Sequence, residues 1–160
     1  MQAAPPTRSG TLDISTGFLL LAPFSALDLE LTGARVIVQT ESLAVVVDAE
    51  LPSGAYRGVG TRGWQVDKKG TGWTYTDSTN EPVGGIVQMT IDDGGKKAEG
   101  RISVSVTGKN ATYVVGPGDE PLRAVIALDH SHAPHCGDSN FTFADCAFDK
   151  KGTLTCARKN

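Results

Sequence analysis

Basic runs, long apolar stretches and helical periodicity are all missing from this chain of 160 residues. Without a cluster of Lys and Arg, and with a formal net charge of -3, it lacks the electrostatic footprint of a nucleic-acid binder. No nucleic-acid partner is expected. The longest apolar run, FLLLAPFSAL (18–27), is interrupted by Pro23. It falls far short of the ~20 residues that cross a bilayer as a helix, so no membrane span is expected. There is also no basic amphipathic helix of the kind that lies on membrane surfaces. The opening MQAAPPTRSG has no cationic region followed by an apolar core, and no signal peptide is read in it. Aromatic residues make up only 6% and cysteines number three. An odd count leaves at least one thiol unpaired within the chain.

What is present is turn chemistry and alternation. Nineteen glycines and eight prolines punctuate short stretches of period two. LDLEL (27–31) sets Leu27, Leu29 and Leu31 against Asp28 and Glu30. RISVSVT (101–107) sets Ile102, Val104 and Val106 against hydroxyl residues. LAVVVDAEL (43–51) puts Leu43, Val45, Val47, Ala49 and Leu51 on one side. RAVIALD (123–129) is almost continuously apolar, as expected of a strand covered on both faces. With 39% hydrophobic and 21% charged residues, a packed core is feasible. The fold class read from this is all-β, with antiparallel, sandwich-like strands.

The chain also repeats itself. DKKGT occurs at 67–71 and at 149–153. LELTG (29–33) aligns with VSVTG (104–108), and Gly10, Leu12 and Ile14 align with Gly85, Val87 and Met89. LAVVVD (43–48) aligns with AVIALD (124–129), and Pro52 with Pro134. The colinear order reads as an internal duplication. It predicts a polar arm over 1–9 and two tandem related β modules, 10–83 and 84–160, packed side by side.

Several stretches carry a resemblance. GWQVDKKGTGWTYTD, PVGGIVQMTIDD, GRISVSVTGKNATYVVGPGDEPLRAVIALD, HCGDSNFTFADCAF and GTLTCARK resemble modules repeated in large, uncharacterised, exported bacterial proteins. The resemblance spans about 40–160. It implies an extracytoplasmic β module and implies no activity.

The second DKKGT has the chemistry of a three-residue hairpin loop, with Asp opening a type I turn and Gly in the left-handed region. Counting outward from Asp149 and Thr153 places Phe148 opposite Leu154 and Cys146 opposite Cys156. In a non-hydrogen-bonded pair the Cα atoms would lie ~4.5 Å apart, within disulfide range. Cys136–Cys146 is the rival pairing, and two reduced core cysteines are the third reading. The same count in the first copy sets Val66 opposite Gly72, Gln65 opposite Trp73 and Trp64 opposite Thr74. That makes Trp64 a core residue and leaves Trp73 and Tyr75 on the other face. They are either buried under a second sheet or exposed as a platform on which sugar rings could stack.

HSHAPHC (130–136) gathers all three histidines and one cysteine. His130 and His132 would point the same way if the preceding strand continues. With His135 or Cys136 they could ligate zinc or copper. The first copy has AELPSG at the corresponding place, so the scaffold does not require imidazole there, and the bland reading is a tolerant polar loop. GVGTRG (58–63) matches G-x-G-x-x-G, but a hairpin pattern follows it where a dinucleotide site needs a helix. DDGG (92–95) reads as a turn. No catalytic triad or carboxylate pair has supporting context. The expectation is a non-enzymatic, extracytoplasmic structural or assembly module: a surface-protein repeat or fibre subunit. It would have no cofactor and would meet protein partners. The alternative is a module binding carbohydrate through Trp73 and Tyr75, or metal through His130, His132 and His135.

Overall fold

A computed structural model describes residues 8–97, 99–116, 118–128 and 135–158. Eleven strands form two sheets among them. In chain order they are β1 (Arg8–Leu19), β2 (Ala34–Gln39), β3 (Val45–Leu51), β4 (Arg62–Val66), β5 (Gly72–Asp77) and β6 (Ile86–Asp93). Then follow β7 (Arg101–Val114), β8 (Leu122–Leu128), β9 (His135–Phe141), β10 (Cys146–Phe148) and β11 (Thr153–Ala157). The larger sheet has the order β10-β11-β1-β7-β6-β5-β4 and the smaller one β3-β2-β8-β9. Only the β1–β11 pair runs parallel; the other pairs are antiparallel.

The sheets face each other across one apolar core. Alternation supplies it: Leu12 and Ile14 of β1, Met89 and Ile91 of β6, and Ile102, Val104 and Val106 of β7 all point inward. The smaller sheet answers with Val36 and Val38 of β2, Ala124 and Ile126 of β8, and Phe141 of β9. Two polar side chains meet inside, where the Thr16 hydroxyl on β1 hydrogen-bonds the Ser139 hydroxyl on β9. A buried hydroxyl pair is tolerated because each partner satisfies the other.

The all-β, sandwich-like expectation holds, but the arrangement of the halves differs from the sequence reading. Both sheets draw strands from 10–83 and from 84–160. The two stretches are interleaved around one core, not packed side by side. LDLEL is not a strand. Leu29–Thr32 form one helical turn, α1, because the Asp28 carboxylate accepts a hydrogen bond from the Leu31 N–H at 3.2 Å and caps it. Leu29 is buried while Leu31 is 73% exposed, which breaks the expected common face. The LELTG–VSVTG match therefore joins a helical turn to a strand and carries no structural equivalence.

Two strands also differ from their expected burial. RAVIALD was expected to be covered on both sides, yet Arg123 is exposed and Val125 and Ala127 are half-buried. A two-layer sandwich covers only one face of each sheet. In LAVVVDAEL, Val47, Ala49 and Leu51 are buried as expected, but Leu43 and Val45 are exposed. Leu43 sits in a tight turn closed by Leu43 N–H to Thr40 O at 2.9 Å. A register shift at Val38/Gln39 then displaces Val45 outward.

Candidate functional sites

The two DKKGT turns are built alike. Asp67 Oδ1 accepts from the N–H groups of Lys69 (3.0 Å) and Thr71 (2.8 Å). Asp149 Oδ1 accepts from Lys151 (2.7 Å) and Thr153 (2.9 Å). These bonds hold both carboxyls below the usual carboxylate range. The ladders then diverge. Asp149 N–H bonds the Thr153 carbonyl at 3.0 Å, whereas Asp67 N–H reaches one residue further, to Gly72 O at 2.9 Å. The Thr71 carbonyl is taken by Asp93 N–H at 2.9 Å, so it serves β6 and not β4.

In the second hairpin the sequence-derived register is what the structure shows. Phe148 faces Leu154 and Cys146 faces Cys156, with a Cα–Cα distance of 4.1 Å and a disulfide between them. Cys136 is free and exposed. The rival Cys136–Cys146 pairing and the reduced pair are thereby set aside.

In the first hairpin the register is off by one residue from the expected one. Val66 faces Trp73, Gln65 faces Thr74 and Trp64 faces Tyr75. Trp64, Trp73 and Tyr75 consequently share the inward face, and all three are buried. The rings of Trp64 and Tyr75 lie 5.2 Å apart at 53°, a tilted pairing favoured by their quadrupoles. The indole N–H donates to Pro52 O at 3.0 Å. Trp73 and Tyr75 thus form no exposed platform, and the sugar-stacking role expected of them as an alternative lapses.

Continuing inward along β5, period two brings Asp77 into the core beside the aromatics, with 3% of its surface exposed. Burial alone would raise its pKa. Hydrogen bonds from the Thr79 hydroxyl and N–H and the Val83 N–H, with the charge of Arg62, outweigh burial and hold it below the usual range. Arg62 Nε lies 3.4 Å from Asp77 Oδ2, and the Tyr75 phenol donates to the same oxygen at 3.2 Å. Burial, then the Asp77 charge and bond, push the Tyr75 phenol well above its ordinary value. This hub ties β4, β5 and the 78–83 loop together. The sequence reading missed it, although the signal was there: Asp77 sits two and four residues beyond Tyr75 and Trp73 on one alternating strand. The Tyr113 phenol is likewise raised by burial, to about 12, and donates to Gly84 O at 3.0 Å.

GVGTRG leads into a strand, as expected. Thr61 N–H closes a turn on Gly58 O at 3.1 Å and β4 begins at Arg62, so no helix N-terminus is available for a pyrophosphate. DDGG ends β6 and opens the turn after it, with Gly95 N–H on Asp93 Oδ1 at 3.2 Å. Of the candidate metal ligands, His130 and His132 lie outside the described residues. His135 and Cys136 are neighbours in β9, opposite Leu128 and Ala127. Adjacent strand residues point to opposite faces, so these two do not converge. Among the described residues no group of three or more His, Cys, Asp or Glu is placed to hold a metal.

The sheet margins differ in how they are closed. The β4 edge is covered: Trp64 N–H bonds Gly54 O at 2.8 Å and Tyr56 N–H bonds Trp64 O at 2.9 Å. That approach requires glycine at position 63, where a Cβ would meet the backbone of Ala55 and Tyr56. The β10 edge is three residues long and carries the disulfide. The smaller sheet ends instead in β3 and β9, seven residues each. Along β9, Cys136, Asp138 and Asn140 are exposed, and its only strand partner among the described residues is β8. No helix among the described residues is long and apolar enough to cross a membrane. No family model, curated protein or solved structure matches this chain.

Proposed function

We propose that this chain is a non-enzymatic structural or assembly module working outside the cytoplasm, and that copies or neighbouring modules join by strand addition along the smaller sheet. The observation that carries this reading is the contrast between sheet margins. The larger sheet has one edge covered by a loop and the other short and cross-linked, whereas the smaller sheet presents the seven-residue strand β9 with no neighbour beyond it among the described residues. Unpaired N–H and C=O groups along such an edge are a template for another strand. The disulfide supports an oxidising compartment. The two phenols that burial pushes furthest up, Tyr75 and Tyr113, are engaged in the core with Asp77 and with the Gly84 carbonyl, which suits a scaffold.

The duplication belongs to the same proposal. The β4–β5 hairpin closes one side of the larger sheet and β10–β11 the other, while β2–β3 and β8–β9 flank the middle of the smaller sheet. Related halves that interleave would leave this pairing of ends. The resemblance to repeated modules of exported bacterial proteins would place the chain on a cell surface.

Sedimentation velocity over a range of concentrations tests the assembly reading. Particles larger than the 16.8 kDa chain are expected. They should shrink to single chains when Cys136 and Asn140 are replaced by lysine, since edge lysines oppose strand pairing. A Cys136→Ser variant that still assembles separates strand addition from adventitious disulfide dimers. A single 16.8 kDa species at every soluble concentration would sink the reading.

A further inference from the structure

β1 lies inside the larger sheet, between β7 and β11. No hairpin puts it there. Leu12 pairs with Gly108 on β7 and with Leu154 on β11, partners from the far half of the chain. The other strands of that sheet fall into the hairpin β10–β11 and the antiparallel run from β4 to β7, and β1 is what joins the two. Its inward side chains fill the core. Leu12 and Ile14 are buried, the Thr16 hydroxyl bonds that of Ser139, and Phe18 packs against Gly137. The slot therefore fits the β1 sequence, and these contacts are met equally by the chain's own β1 and by that of a second copy.

What separates the two cases is the tether, residues 20–28, that ties β1 to α1. It is folded short. Leu20 N–H bonds Gly100 O at 2.7 Å, Ala26 N–H bonds Pro23 O at 2.9 Å, and Leu27 N–H bonds Phe24 O at 3.1 Å. Stretched out, a tether of this length reaches ~30 Å, enough to carry β1 into a neighbouring copy. The closed chain also leaves apolar surface in water where β1 meets the tether, with Leu19 63% and Leu21 95% exposed. Two stretched tethers lying side by side would cover these leucines.

We propose that β1 is an exchangeable strand: two copies of this chain trade it, each filling the slot between β7 and β11 of the other. Every contact of β1 with the two sheets is kept across the pair, so exchange changes only the tethers and the entropy of association. Buried side chains hold β1 in the closed chain, so exchange passes through rare opening and is slow beside ordinary association. The inference rests on the reading of the chain as an assembly module, and supplies a joint that does not use the β9 margin.

The test mixes two variants of the intact chain, Ser15→Cys and Ser105→Cys, each also carrying Cys136→Ser. Ser15 on β1 faces Ser105 on β7 and both are exposed, so a disulfide between these positions joins the two variants only where β1 has changed hands. The mixture is incubated for days at millimolar concentration, oxidised and mapped by mass spectrometry of its peptides. A link between positions 15 and 105 is expected, growing with time and concentration. The control mixes Thr90→Cys with Ser105→Cys, which face each other on β6 and β7, and should give no link between chains. Leu19→Ser with Leu21→Ser should lower the yield of the 15–105 link about tenfold, as the loss of one leucine's cover implies. Absence of that link, equal linking in the control, or a yield unchanged by the two serines would overturn the proposal. Sedimentation of freshly isolated chains reports on β9 and the 15–105 link on β1, so either reading can fail while the other stands.

Discussion

The ring of Phe18 on β1 lies against the α-carbon of Gly137 on β9. It spans the space between the two sheets one step from the Thr16–Ser139 hydroxyl pair. Any side chain at 137 would occupy the place of that ring. Gly137→Ala is expected to cost roughly 1–3 kcal/mol by overpacking, read from denaturant midpoints at constant slope. Phe18→Leu should recover part of that loss in a double-mutant cycle. Strict additivity of the two changes would show that the residues are not in contact.

Trp64 combines burial, a ring partner and a hydrogen bond to Pro52. Trp64→Phe keeps the apolar bulk but strands the Pro52 carbonyl, and should cost roughly 1–3 kcal/mol. Trp64→Ala should cost about 3–5 kcal/mol. Chemical unfolding followed by circular dichroism measures both; a change within error for the alanine variant would contradict the packing described.

Asp77 makes stability depend on acid. A carboxyl whose pKa is lower in the folded state stabilises the fold fully above its unfolded value, about 4. That contribution disappears as pH falls through the folded value. Stability at neutral pH should therefore hold down to the ordinary carboxylate range and decline below it. Asp77→Asn should lower stability at neutral pH by roughly 2 kcal/mol, since Arg62 loses its charge partner while staying partly in water. It should also flatten the acid decline. An acid limb identical in the variant would assign the decline to other carboxyls.

The disulfide closes a separation of ten residues. Reduction should lower stability by roughly 2–3 kcal/mol in the chain-entropy description, seen as a shifted guanidinium midpoint with reductant. Native protein should show one thiol per chain toward a colorimetric reagent, that of Cys136. Non-reducing peptide mapping should recover the 146 and 156 peptides joined. Recovery of a peptide joining 136 to either would be incompatible with the hairpin register.

Much of this was legible before any fold was known, for local reasons. RISVSVT buries the three residues its alternation selects, because pleating alone sends them to one face. The Cys146–Cys156 pairing followed from a turn of known length joined to a pattern that agreed with it. LDLEL was misread because five residues suffice for alternation, and an aspartate at the second can cap a helical turn instead. The first DKKGT was misread because its register depends on a third strand. Thr71 gives its carbonyl to β6, and no local rule reveals a partner twenty-two residues away.

By itself the sequence determined the strand-and-turn alphabet of this protein, the disulfide and the inward set of most strands, since these depend on neighbours along the chain. Tertiary structure alone decided the rest: the interleaving of the halves, the burial of Trp73 and Tyr75, the Asp77 hub and the β9 margin. Each of these arises where segments distant in sequence meet, and which segments meet is set by how two twisted sheets bury one shared core.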